Sequence, residues 1–153
     1  MPQLQVADSL LAGTSKAADR SVDYFLRTQY EPGYWMGELS ADTTLESDYI
    51  LLQLWLHPPV NGVWDPPTRP RISRAVASIL ARQLPDGGFN IYPKGPADLN
   101  ATIKAYFSLK LAGLSYDDTH LTSARERILA LGGIQAANSY VKVNLSLFDL
   151  YPR

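Results

Sequence analysis

The chain has 153 residues, 46% of them hydrophobic, and a formal net charge of −1, which suits one domain with an ordinary core. That balance leaves no broad basic surface for nucleic acid, and the absence of cysteine removes disulfides, zinc–thiolate centres and a cysteine nucleophile. No run of about 18 apolar residues reads as a membrane span, and the N-terminus lacks the basic and apolar regions of a secretory signal.

Residues 1–14 read as a weakly patterned leader, and residues 15–153 as the domain. Val22, Phe25, Leu26 and Gln29 fall at helical spacing, so the pattern predicts an amphipathic first helix over about 15–29, stopped by Pro32-Gly33. A second helix opens at Asp42-Thr-Thr and runs to about Leu56. Thr43 and Glu46 have the spacing of a capping box, and the rest of that helix is apolar on most sides, as in a helix buried among others. The proline-rich stretch 57–67 is a surface connection. Ile72, Val76, Ile79, Leu80 and Gln83 mark an amphipathic third helix, followed by a turn at Pro85-Asp-Gly-Gly. A more apolar fourth helix is expected from about Asn100 to Leu111, a fifth over 119–131, and a sixth from about Ala136 to Leu150.

Amphipathic helices one, three and five therefore alternate with more apolar helices two, four and six. Residues 20–35, RSVDYFLRTQYEPGYW, also recur without a gap as residues 74–89, RAVASILARQLPDGGF. Gln29, Gly33 and Trp35 fall on Gln83, Gly87 and Phe89. A helix and its turn repeated at a fixed period point to stacked helical hairpins. The expected fold is all-α: a partial α/α toroid of about three hairpins, with inner and outer helices alternating. Its raw edges would expose apolar surface, so the chain is expected to be part of a longer protein.

The two Gln…Gly-x-aromatic units resemble the QW motifs of terpene cyclases that act by protonation. The strings GYWMGEL, TLESDYILL, QLPDGGFNIYPKGPADLNATIKAY and GGIQAANSY extend the resemblance, in order, to the N-terminal part of squalene–hopene cyclases. The resemblance implies an enzyme of hopanoid biosynthesis, an isomerase, that protonates squalene and closes its rings to hopene or hopanol. It implies no metal and no other cofactor, a second α/α barrel, and a cytoplasmic protein seated on one membrane face. Its partners would be squalene or a related polyprene, the membrane face and the rest of its own chain. The family's general acid lies in an Asp-x-Asp-Asp motif absent from this sequence, where the nearest acids are Asp117-Asp118. These 153 residues alone are therefore expected to be inactive, and Gln29, Gly33, Trp35, Gln83, Gly87 and Phe89 to be structural staples. Gln at the end of an outer helix can bond free backbone groups at the start of the next inner helix.

Asp48 is the candidate with chemical interest. It shares a helical stripe with Leu51, Leu52 and Trp55, where a carboxylate is costly unless paired or protonated. The family usually has Glu there, implying support of the catalytic acid through a water; a first-turn acid favoured by the helix dipole is the plainer reading. Lys104 stands where the family commonly has Glu, and Asn138 and Asn144 where many relatives have Arg and Trp. His57 and His120 each stand alone, without metal-ligand spacing, and read as loop or surface residues. Tyr24, Phe25, Tyr34, Trp35, Tyr49, Trp55 and Tyr106 could line a cation-stabilising cavity, but their spacing beside aliphatics reads as core packing. Two alternatives stay open. One is a different α/α-toroid enzyme, another terpene cyclase or a zinc-dependent prenyltransferase subunit, against which the missing cysteine argues. The other is an interaction domain that kept the toroid and lost the chemistry.

Overall fold

A computed structural model describes residues 2–37 and 41–152, with side chains from residue 8 onward. The chain divides into two compact units, Met1–Leu39 and Ser40–Arg153.

The first unit holds α1, Pro2–Thr28. This helix begins well before the predicted residue 15, so the expected leader is helical. Apolar periodicity is weak there, but Ala, Leu, Gln and Lys favour helix without it. Thr14 and Ser21 donate their hydroxyls to the carbonyls of Leu10 and Ala17, 2.8 and 2.9 Å away, a local use of side chains that otherwise compete with the helix.

The second unit contains α2 (Thr44–Leu56), α3 (Arg69–Leu80), α4 (Leu99–Leu111), α5 (Thr119–Ala130) and α6 (Ser139–Leu147), with a 3-10 turn at Ile134–Ala136 before α6. Among the described residues the only β pairing is an isolated bridge between Val60 and Val63. Helix α2 packs on α3 and α4, and α4 packs also on α5 and α6. The inner layer is thus α2, α4 and α6, and α3 and α5 lie outside it, as the alternation predicts. The core joins Ile50 of α2, Ile72 and Ile79 of α3, Phe89, Leu109 of α4 and Leu121 of α5. A second cluster holds Ile103, Ile128, Val141 and Leu145.

Polar caps fix where the helices start. Asp98, Asp118 and Asn138 accept the backbone N–H of Ala101, His120 and Val141, at 2.9, 2.8 and 2.9 Å, satisfying donors a helix cannot pair internally. Asp118 is thereby occupied structurally, and Asp117 accepts from the Ser115 hydroxyl. The capping box predicted for α2 does not form. Thr43 makes no side-chain cap bond; Asp42 instead accepts from the Thr44 N–H at 2.8 Å. Glu46 turns to α3, where it accepts from Ser78 at 3.0 Å and pairs with Arg82 at 2.8 Å. A partner on a packed neighbour outcompetes the local N–H.

The sixth helix is shorter at both ends than predicted. Asn138 caps its start, and at its end Asp149 adopts a positive φ of 56° while the Leu150 N–H returns to the Leu145 carbonyl at 2.9 Å. That bonding pattern terminates a helix.

Candidate functional site

Two features carry the sequence candidates: the glutamine–glycine clasps and the polar patch around Asp48.

Each clasp is built by the same bond. Gln29 Nε2 donates to the Gly33 carbonyl at 3.0 Å, and Gln83 Nε2 to the Gly87 carbonyl at 2.9 Å. Gly33 and Gly87 both have positive φ, 89° and 81°, a conformation that glycine adopts without steric cost. The aromatics are used differently. Trp35 donates its indole N–H to the Phe25 carbonyl at 2.7 Å and meets the Phe25 ring edge-to-face, 6.1 Å between centroids. Phe89 is fully buried in the core. Its N–H donates to the Thr102 hydroxyl at 3.0 Å, and its carbonyl accepts from the Asp98 N–H at 2.8 Å.

The expected reach of Gln83 to the next inner helix is not what the structure shows. Its Nε2 also donates to the His120 carbonyl at 2.8 Å, and its Oε1 faces His120 Nδ1. Both carbonyls need a donor, so the amide nitrogen points at them and Oε1 is left to accept from the imidazole. The second clasp therefore joins outer helix α3 to outer helix α5, and the backbone of Phe89 reaches inner helix α4 instead. His120 was missed by spacing because its partner is set by packing; only its place in the first turn of α5 was legible. At Gly87 the turn lies close against α5. A Cβ there would lie 2.5 Å from the Ser123 backbone of α5.

Asp48 on α2 is paired. Both its carboxylate oxygens accept from Lys104 Nζ of α4, at 2.9 and 3.0 Å. Lys104 is only 6% exposed and Asp48 37%. The ammonium also lies 4.7 Å from the centroid of the Tyr140 ring of α6, within cation–π range. The patch thus draws one residue from each inner helix. Lys104, noted in the sequence as a departure from the family pattern, is what makes a carboxylate tolerable on an apolar stripe. Asp48 opens into a pocket of about 350 Å³ between α2 and α6, with Leu51, Leu52 and Trp55 along one wall and Tyr140, Asn144, Leu147 and Phe148 along the other. Of the aromatics read as core, Tyr49 and Tyr106 do pack against it. Trp55 is 57% exposed and meets Phe148 edge-to-face at the pocket wall. Asn138 serves as the α6 cap, and His57 follows α2 and accepts the Trp64 indole N–H at its carbonyl, 2.8 Å away.

No cluster of three or more potential metal-ligating side chains occurs among the described residues, and no described helix is long and apolar enough to cross a membrane.

Against known families, residues 18–153 match the model of the squalene–hopene cyclase N-terminal domain. The chain belongs to that family. It is 35% identical over 138 residues to the squalene–hopene cyclase of Alicyclobacillus acidocaldarius, covering 90% of this chain and 21% of that protein. It is 40% identical over 123 residues to that of Zymomonas mobilis, covering 80% of this chain and 18% of that one. A squalene–hopene cyclase of Schizosaccharomyces japonicus is 33% identical over 122 residues, covering 80% of this chain and 18% of that one. The chain spans about a fifth of the length of these curated relatives. The all-α, α/α-toroid fold class expected from the repeat is that of the squalene–hopene cyclase N-terminal domain.

Proposed function

We propose that these residues form the N-terminal wall of a squalene–hopene-type cyclase, an isomerase that protonates squalene and closes it to hopene or hopanol. The observation that carries this reading is the family match over residues 18–153, together with relatives named for that reaction. The clasps act as staples: they tie helix ends and turns by side-chain amides and leave the chemistry to other residues. The general acid comes from outside these residues, because the sequence contains no Asp-x-Asp-Asp. Squalene or a related polyprene, the rest of the cyclase chain and one face of a cytoplasmic membrane are the partners of this reading.

Asp48 supports the acid only indirectly. Its two oxygens face Lys104, so the pair, and not a free carboxylate, is what the inner layer presents.

The test is a chimera in which this chain replaces the matching N-terminal fifth of the Zymomonas mobilis cyclase. Membranes carrying the chimera should convert squalene to pentacyclic product, and the 153-residue protein incubated alone should give none. A chimera that folds and docks to membranes but yields no cyclised product would favour the interaction-domain reading.

A further inference from the structure

The connection between α2 and α3 takes no part in the clasps or the Asp48 patch, and its surface is of two kinds. Val60 and Val63 exchange both backbone hydrogen bonds, at 2.9 and 3.0 Å, around Asn61 and Gly62, whose φ values are 51° and 77°. Two central residues with positive φ make the two-residue hairpin turn that Asn-Gly favours. Residues paired in this way project to one face, so two valine side chains stand together at the tip, 71% and 66% exposed. The Trp64 indole N–H closes the base of the loop on the His57 carbonyl, and residues 58–64 carry no charge. Residues 65–74, in contrast, carry three arginines and one acid, Asp65. Arg69 donates to the Trp64 carbonyl, which sets the basic segment beside the hairpin. Arg71 and Arg74 are exposed and make no ion pair or hydrogen bond with the described residues. Arg69 and Arg71 also lie in the first turn of α3 with no acid beside them, where the helix dipole favours anions.

A soluble acidic chain would pair with the arginines and leave the valines in water. A neutral apolar partner would cover the valines and take water from guanidinium groups that have no counter-charge. Anionic headgroups over hydrocarbon meet both needs: shallow apolar insertion and basic side chains at headgroup depth together hold a protein on a membrane. We propose that residues 60–74 are an anchor for anionic membrane lipid, with Val60 and Val63 entering the edge of the hydrocarbon and Arg71 and Arg74 pairing with headgroup phosphates. The anchor rests on the proposed function only for the presence of a membrane; it adds the surface and the lipid charge, and it needs no cyclisation. Failure of the chimera to cyclise squalene would leave it standing.

The experiment is sedimentation of the 153-residue protein with vesicles of phosphatidylcholine alone, and with vesicles in which about a third of the lipid is phosphatidylglycerol. Binding to the anionic vesicles should be about thirtyfold tighter, from two free arginines near the surface, and the preference should fade at high salt. Arg71→Gln with Arg74→Gln should remove most of that preference. Val60→Ser with Val63→Ser should weaken binding to both vesicles about tenfold, through lost apolar burial. All four positions are exposed, so helicity should not change. Equal binding of the wild-type protein to the two vesicles would mean adsorption through the exposed inner-layer leucines; it would overturn the anchor and leave the membrane partner standing. Binding to neither vesicle, or unchanged binding in either folded double variant, would also overturn the anchor. So would tighter retention on immobilised polyglutamate than on the anionic vesicles, which would assign the arginines to an acidic protein.

Discussion

The Asp48–Lys104 pair is asymmetric, and its two halves should respond differently to truncation. Lys104 is almost wholly enclosed, while Asp48 keeps an edge toward solvent. Asp48→Ala leaves an ammonium buried without its counter-charge, whereas Lys104→Met leaves a carboxylate that water can reach. Removing one partner of a charged hydrogen bond costs about 1–3 kcal/mol, so we expect Asp48→Ala near the upper end and Lys104→Met near the lower. Urea unfolding of both variants checks the order, and a larger loss for Lys104→Met would contradict the burial argument. A second contrast concerns two glycines. Gly87 and Gly113 both have positive φ, but a Cβ at Gly113 meets nothing within 4 Å, while one at Gly87 strikes the Ser123 backbone. Gly113→Ala should cost about 1 kcal/mol from backbone strain alone. Gly87→Ala should cost about 2–3 kcal/mol more than that, as overpacking adds to the strain. Equal melting points for the two variants would remove the close approach of the turn to α5.

At the scale of elements, the junction between α3 and α4 joins the layers. Phe89 fills the core and its backbone bonds to the first turn of α4 through Thr102 and Asp98. Phe89→Ala should lose about 3–5 kcal/mol. Thr102→Val keeps the volume but strands the buried Phe89 N–H, and should lose about 1–3 kcal/mol. Equilibrium unfolding measures both, and a neutral Thr102→Val would show that the Phe89 N–H has another partner. The same junction shows what was legible beforehand. Helix identities followed from apolar spacing, and the repeat of residues 20–35 and 74–89 anticipated one clasp geometry twice. The capping box at Thr43 and Glu46 failed because Glu46 found Arg82 and Ser78 across the packed α2–α3 face. No spacing along one helix reports on that. The early start of α1 was missed because propensity, and not periodicity, makes it helical.

For the molecule, the exposed apolar side chains of the inner layer matter most. Leu52, Trp55, Leu56 and Leu147 are each about half exposed, and exposed apolar surface of this kind drives association. We expect sedimentation velocity to show self-association that grows with protein concentration, and Leu56→Lys to reduce it. A strictly monomeric wild-type protein at high concentration would show that this surface is not adhesive.

The amino-acid order by itself determined the helical repeat, the alternation of amphipathic with apolar helices, and the family, because these depend on periodicity and on short local strings. It also singled out Asp48 and Lys104, but as two separate oddities. Only the tertiary structure made them one ion pair, joined Gln83 to His120, and moved Trp55 from the core to a pocket wall. The physical reason is common to all three: charge pairing, hydrogen bonding and burial act between surfaces of different helices. The packing of α2, α4 and α6, and of α3 against α5 through the clasp, decides which side chains meet.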